Sequence, residues 1–147
     1  MFHLVDDTPE VLDSLHDLIE YAGYKSMRFD SAESYLEHFN TSEFAAPVAI
    51  ITDYEMPGLS GLAMIKQVRE KLPLQKAVVI SGTPREELNG ALETYLCYSL
   101  PKPYKVEKLF SMLEALSQCE KDYQPEPINF QPGCQYGLEH ACPFQPG

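Results

Sequence analysis

Basic residues are scarce in this sequence. There are 11 Lys and Arg against 22 Asp and Glu, which gives a formal net charge of −11 at pH 7. The basic residues are also scattered, whereas a surface that binds DNA or RNA needs clustered Lys and Arg to neutralise phosphates. We therefore expect no nucleic-acid partner for this chain.

Long apolar runs are missing as well. No stretch reaches the roughly 18 to 20 apolar residues that a membrane span requires. The N-terminal "MFHLVDD" has neither a basic start nor an apolar segment with a cleavage site. We therefore expect a cytoplasmic protein that does not associate with membranes. In that setting, the four cysteines favour reduced thiols or a metal site over a disulfide framework.

What the sequence does contain is the pattern of an α/β domain. Its 147 residues are 44% hydrophobic, which is enough for one sizeable core. Short runs rich in Val, Ile and Leu recur at "FHLV", "VAII", "AVVI" and "YLCYSL", with a weaker run near "KSMRF". Continuously apolar runs are typical of strands in a parallel sheet that is covered on both faces.

Segments with helical spacing of apolar residues lie between these runs. They cover residues 8–23, 60–72 and 106–116. Thr8 is placed to cap the first helix and Gly23 to end it, and Asp30 or Ser31 can cap a shorter helix that follows. Alternating strands and helices predict an open α/β sandwich with a parallel sheet.

The end of the chain has a different composition. Residues 119–147 are rich in Pro and Gly, have no sustained period, and contain Phe-Gln-Pro-Gly twice. We therefore expect one domain over residues 1–118 and an irregular C-terminal extension over residues 119–147, too short for a conventional second domain.

Polar side chains collect where the predicted strands end. They are Asp6, Asp7, Asp53, Ser81 and Lys102. In an open α/β sheet the carboxyl ends of the strands form the ligand-binding edge, so we expect these side chains to lie together. Three carboxylates in one place repel one another unless a cation neutralises them, and oxygen ligands favour Mg²⁺. Asp53 is the candidate nucleophile for a phosphoryl group, because it follows the most apolar strand and precedes an exposed turn.

Four segments carry a family resemblance. In order, "LVDDTPEVL", "DYEMPGLSG", "VVISGT" and "LPKPY" resemble the acidic pair, the phosphoacceptor segment, the Ser/Thr strand and the Lys-Pro of response-regulator receiver domains, which are CheY-like modules of two-component signalling. The resemblance covers about residues 1–118. It implies a flavodoxin-like fold with five parallel strands and helices on both faces.

The resemblance also implies roles for the residues at the strand ends. Asp6, Asp7 and Asp53 would bind Mg²⁺ with the backbone carbonyl of Glu55, and Asp53 would accept phosphate from a phosphohistidine. Ser81 would bond the phosphoryl oxygen, Lys102 would pair with it, and a cis peptide bond would join Lys102 to Pro103.

The sequence departs from the family at the aromatic switch. The family places an aromatic residue three positions before the lysine, where this chain has Ser99. Either the loop has an extra residue and Tyr98 is the switch partner of Ser81, or the coupling between the Ser/Thr and aromatic positions is altered. Pro101, between these residues and the lysine, is also unusual.

The C-terminal extension leaves two interpretations open. Cys119, Cys134, His140 and Cys142 have the composition of a Cys₃His zinc site, although no Cys-x-x-Cys pair is present. The alternative is an irregular segment whose aromatic residues pack on the domain or on a partner.

Together these observations predict a stand-alone response regulator rather than an enzyme. It would accept a phosphoryl group from a histidine kinase or phosphotransfer protein and signal through protein contacts. One alternative is a receiver-like adaptor that binds its partner without phosphorylation. Another is an aspartate-nucleophile phosphatase. Those enzymes have an Asp-x-Asp motif at the nucleophile, whereas this chain has Asp53-Tyr54-Glu55, which argues against that alternative.

Overall fold

A computed structural model describes residues 1–82 and 96–122, and it describes side chains as far as Cys119. Among these residues there are five strands and four helices. The strands are β1 (Phe2–Val5), β2 (Ser26–Phe29), β3 (Ile50–Asp53), β4 (Ala77–Ser81) and β5 (Tyr98–Pro101). The helices are α1 (Pro9–Tyr21), α2 (Ala32–Phe39), α3 (Gly61–Lys71) and α4 (Val106–Asp122).

The strands form one parallel sheet in the order β2-β1-β3-β4-β5. Strand β1 therefore pairs with β2 on one side and β3 on the other, as in Leu4 with Arg28 and Leu4 with Ile51. The order reverses direction at β1, which creates a crevice at the carboxyl ends of β1 and β3. The predicted five-stranded parallel fold is confirmed.

Helices cover both faces of the sheet, as predicted. On one face, α1 and α4 contribute buried side chains such as Leu15, Ile19, Leu109 and Leu113 to a common core. On the other face, α2 and α3 bury Tyr35, Met64, Ile65 and Val68. The strands β1, β3 and β4 are buried along their whole length, which explains their continuously apolar sequences.

The helix ends follow the capping residues in part. Ser31 caps α2 by accepting a hydrogen bond from the Ser34 N–H at 3.0 Å, so Ser31 rather than Asp30 has this role. Thr8 occupies the cap position of α1, but its side chain makes no capping hydrogen bond. Gly23 follows α1 with φ of 96°, a conformation that favours glycine.

Two boundaries differ from the sequence expectations. Strand β5 begins at Tyr98, later than the apolar run "YLCYSL" suggests, and it includes Pro101. Proline is tolerated there because β5 is an edge strand of the described sheet. Helix α4 continues to Asp122, past the domain boundary expected after residue 118.

A buried histidine stabilises the junction of β1 and α2. His3 is 2% exposed, and its Nδ1 lies 2.9 Å from the Tyr35 hydroxyl. The rings of Phe29 and Phe44 lie edge-on to it, each 5.7 Å away between centroids. Burial, and then repulsion by His38 and the N-terminal amino group, lower the pKa of His3 from 6.5 to about 4.

This lowered pKa predicts a pH-dependent stability. Between about pH 4 and 6.5 the unfolded chain binds a proton at His3 that the folded chain excludes, so the His3 contribution to stability rises with pH in this window. Between pH 4.5 and pH 7 the His3 contribution to the free energy of unfolding should increase by roughly 2 to 3 kcal/mol. Urea unfolding of wild type and His3→Gln at both pH values measures it, because other groups titrate in both proteins. Equal pH slopes for the two proteins would contradict the buried neutral histidine.

The start of α3 packs directly against the end of β3. A Cβ added to Gly61 would overlap the Asp53 carbonyl oxygen and would lie 2.8 Å from the Thr52 Oγ1 atom. The Gly61 N–H also donates to the Tyr54 carbonyl at 3.1 Å. A glycine is therefore required here by close backbone approach, which fixes α3 relative to the strand that carries Asp53.

Gly61→Ala should consequently destabilise the fold by about 3 kcal/mol, the upper part of the range for overpacking. The matched control is Gly82→Ala, where the nearest atom to the added Cβ is the Lys102 Cδ at 3.9 Å. That variant should stay within about 1 kcal/mol of wild type. Chemical denaturation measures both, and comparable losses in the two variants would refute the steric explanation.

Candidate functional site

The predicted site residues lie at one edge of the sheet. Asp6 and Asp7 follow β1, Asp53 ends β3, Ser81 ends β4, and Lys102 follows β5. Backbone hydrogen bonds extend the ladder to these positions. The Tyr54 N–H donates to the Ile80 carbonyl at 2.9 Å, and the Lys102 N–H donates to the Ser81 carbonyl at 2.9 Å.

Three carboxylates converge at this edge. Asp6, Asp7 and Asp53 each place an oxygen so that all three lie within 4.8 Å of one another. Asp6 and Asp53 are buried, at 5% and 7% exposure, whereas Asp7 is exposed. The Asp6 carboxylate accepts a hydrogen bond from the Thr8 N–H at 2.8 Å, which ties it to the start of α1.

Lys102 reaches this cluster from the far side of β4. Its Nζ lies 3.0 Å from the Asp53 Oδ1 atom in a charge-assisted hydrogen bond. The peptide bond between Lys102 and Pro103 is cis, as predicted. The lysine is thus held beside the carboxylate that the sequence identified as the candidate nucleophile.

The protonation equilibria reflect burial and crowding. Burial raises the pKa of Asp53, the Lys102 hydrogen bond and charge lower it, and Asp7 and Glu55 raise it again, with a net upward shift. The pKa of Asp6 is also raised, mainly by burial. Burial would lower the pKa of Lys102, but Asp53, Asp6 and Glu55 outweigh it and raise the pKa. One lysine therefore does not compensate the negative charge of the cluster.

The donor set fits Mg²⁺. Its side chains offer only oxygen ligands, and two carboxylates are buried with raised pKa values, which a bound divalent cation would lower. Asp6, Asp7 and Asp53 would hold the ion. Glu55, two residues after Asp53, is exposed on the following loop, where its predicted role is to offer a backbone carbonyl.

The two candidate switch positions on β5 lie on opposite faces of the sheet. Tyr98 packs with the α1 and α4 core, and the Lys108 Nζ lies 5.4 Å from its ring centroid. Ser99 pairs with Val79 on β4, and side chains alternate along a strand, so Ser99 shares the face of Val79 and Ser81. The switch role of Tyr98 stays a prediction, and this placement favours Ser99 as the position on the Ser81 face.

The suggested zinc ligands are not brought together in the described part of the chain. Cys119 is half-buried on α4, whereas Cys134, His140 and Cys142 lie outside the described residues. Among the described residues, the acidic triad at the sheet edge is the group whose side chains could hold a metal ion.

One residue near the site carries no signal in the sequence. Glu33 on α2 accepts a hydrogen bond from the backbone of Leu59, in the loop that follows Asp53. It resembles any other exposed glutamate in the first turn of a helix, so only the placement of α2 in the fold reveals the contact.

Comparison with known proteins agrees with this geometry. A family model described as the response regulator receiver domain matches residues 2–114. The chain belongs to this family of two-component signalling domains. Receiver domains interact with histidine kinases or phosphotransfer proteins and generally bind Mg²⁺ in an acidic pocket.

The similar curated proteins are longer than this chain. The DNA-binding transcriptional regulator NtrC of Klebsiella pneumoniae is 27% identical over 132 residues, which cover 86% of this chain and 27% of that protein. The chemotaxis protein CheV1 of Helicobacter pylori is 32% identical over 113 residues, covering 72% of this chain and 35% of that protein. The chain thus spans roughly a quarter to a third of these relatives.

Solved structures share the fold. A receiver domain protein from Clostridium thermocellum superposes with a TM-score of 0.72 at 22% identity, covering 82% of this chain and 95% of that one. A CheY-like receiver from Methanospirillum hungatei gives the same TM-score and identity, with 83% and 97% covered. Within residues 1–82 and 96–122, no helix is long and apolar enough to span a membrane.

The acidic triad predicts a measurable Mg²⁺ affinity that depends on Asp7. Asp7 is exposed, so Asp7→Asn should fold normally but weaken Mg²⁺ binding roughly tenfold by removing one charged ligand. Isothermal titration calorimetry compares it with Asp13→Asn, which removes a carboxylate of α1 that pairs with Arg28 instead. Equal affinities of the two variants would argue against Asp7 as a ligand.

Proposed function

We propose that the protein is a cytoplasmic response regulator that accepts a phosphoryl group on Asp53 from a histidine kinase or phosphotransfer protein. It then signals through protein contacts that depend on phosphorylation, as a signalling module rather than an enzyme. The observation that supports this most strongly is the placement of the Lys102 Nζ 3.0 Å from an oxygen of Asp53, beside two further carboxylates.

The chemistry follows from this arrangement. A carboxylate oxygen of Asp53 attacks the phosphorus, a new P–O bond forms, and the P–N bond to the donor imidazole breaks, with its electron pair leaving on the imidazole nitrogen. Lys102 favours the ionised form of Asp53, which attack requires. Its ammonium and the Ser81 hydroxyl would bind phosphoryl oxygens. Bound Mg²⁺ would supply further neutralisation of the charge on these oxygens.

Phosphorylation changes the charge that the site must balance. The phosphoryl group brings up to two negative charges and three acceptor oxygens to Asp53. The carboxylate loses its own charge when the P–O bond forms, so the net gain is up to one negative charge. Ser81 ends β4 and Lys102 directly follows the neighbouring strand β5, so their rearrangement toward the phosphoryl group would act on β4 and β5 together. The surface formed by β5 and α4 is therefore the proposed region of altered partner binding.

A phosphorylation-independent adaptor is the second candidate function. The observation in its favour is the face of β5 on which Tyr98 lies, packed with α4 and Lys108 instead of on the Ser81 side. With Ser99 instead of an aromatic residue on the Ser81 face, β5 has less apolar surface to bury or expose on phosphorylation. A smaller change of surface favours partner binding that does not depend on phosphorylation.

Incubation with acetyl phosphate and Mg²⁺ tests the proposed phosphoacceptor. Wild type and Asp13→Asn should each form one adduct that is stable in acid and labile in base, and Asp53→Asn should form none, because its side chain lacks the nucleophilic carboxylate. Intact-protein mass spectrometry measures the adduct. An adduct that persists in Asp53→Asn would overturn the assignment.

Wild type and Asp53→Asn also separate the two candidate functions. Once a partner is captured, binding that increases on phosphorylation of wild type and stays basal in Asp53→Asn supports the response regulator. Equal binding by phosphorylated wild type and Asp53→Asn supports the adaptor.

A further inference from the structure

A side chain of α2 is tied to the loop that follows the phosphoacceptor. The Oε1 atom of Glu33 accepts a hydrogen bond from the Leu59 N–H at 2.9 Å, across 26 residues of sequence. This hydrogen bond lowers the pKa of the Glu33 carboxyl, so the residue is ionised at neutral pH. The contact therefore joins a charged acceptor to a backbone donor, the stronger kind of hydrogen bond.

The loop is shaped to receive this carboxylate. Gly58 has φ of 79°, a conformation that favours glycine. A Cβ added there would lie 2.5 Å from the Glu33 Oε1 atom. The missing side chain at position 58 thus suits the turn and leaves room for the Glu33 carboxylate in its observed position.

The same loop connects the site to α3. It leaves β3 at Asp53, passes Glu55, whose carbonyl is a predicted Mg²⁺ ligand, and enters α3 at Gly61. Two backbone hydrogen bonds hold its ends. The Tyr54 N–H donates to the Ile80 carbonyl, and the Gly61 N–H donates to the Tyr54 carbonyl. Glu33 holds the part of the loop between these ends, close to the turn at Gly58.

We propose that Glu33 is a positioning residue for the phosphorylation site, which holds the loop after Asp53 in the arrangement that Mg²⁺ binding and phosphoryl transfer require. This inference rests on the function proposed above. Glu33 acts through the loop backbone and does not touch the reacting atoms. It lies on the solvent-exposed side of α2, so its removal should loosen the loop without unfolding the domain.

Glu33→Ala, Glu33→Gln and Glu37→Ala form a matched set for the test. Glu33→Ala removes the acceptor, Glu33→Gln keeps an acceptor oxygen without the charge, and Glu37→Ala removes the same charge from an exposed site on the same helix. The measurements are amide hydrogen exchange of Leu59, Mg²⁺ affinity by calorimetry, and the rate of adduct formation with acetyl phosphate.

In Glu33→Ala the Leu59 amide should exchange about 3 to 10 times faster than in wild type, the factor expected for one hydrogen bond. The Mg²⁺ dissociation constant should rise by a similar factor. Glu33→Gln should keep most of the Leu59 protection and most of the Mg²⁺ affinity of wild type, and Glu37→Ala should match wild type in both. A role limited to α2 stability would not change Mg²⁺ affinity.

Two outcomes would overturn the proposal. One is unchanged exchange of Leu59 in Glu33→Ala, and the other is faster exchange with Mg²⁺ affinity and adduct rate equal to those of wild type. Failure of the proposed function has a different signature, since wild type itself would then form no adduct. In that case, faster exchange and weaker Mg²⁺ binding in Glu33→Ala would still support Glu33 as the residue that positions the metal loop.

Discussion

Mutual repulsion of three carboxylates at one sheet edge is the constraint on which the rest of the site depends. Asp6 and Asp53 are buried, and burial disfavours their charged forms. The sheet order makes this crowding unavoidable, because β1 and β3 are neighbours and both end at this edge. Lys102 offsets only part of the charge, so the edge is suited to a cation and to a reaction that changes the charge.

The crowded carboxylates require a rigid support, and the backbone around β3 supplies it. Gly61 brings α3 into contact with the end of the strand, at a distance no other residue would allow. On the opposite side of the loop, Glu33 bonds the Leu59 N–H. The loop that follows Asp53 is therefore fixed to two different helices. This limits how far the Asp53 carboxylate can move away from Asp6 and Asp7.

The sequence predicts those features that depend on local patterns. Asp6, Asp53 and Lys102 each follow an apolar run, and parallel strands must bring such ends together, so the sheet and the acidic edge are recoverable without coordinates. The sheet face on which Tyr98 lies cannot be predicted from the sequence, because it depends on where β5 begins and on the pairing of Ser99 with Val79. Glu33 is also invisible, since its contact depends on the tertiary placement of α2.

The position of Tyr98 has a consequence for how the proposed phosphorylation signal would leave the site. Strand β5 is an edge of the described sheet, with Tyr98 and Ser99 only half-buried, and it is less constrained than β1, β3 or β4. If Lys102 moved toward a phosphoryl group as proposed, it would pull on β5 through the adjoining Pro101. Because the Tyr98 ring packs with the core that includes α4 and lies near the Lys108 ammonium, that pull would reach α4 through an aromatic contact on the sheet face opposite Ser81.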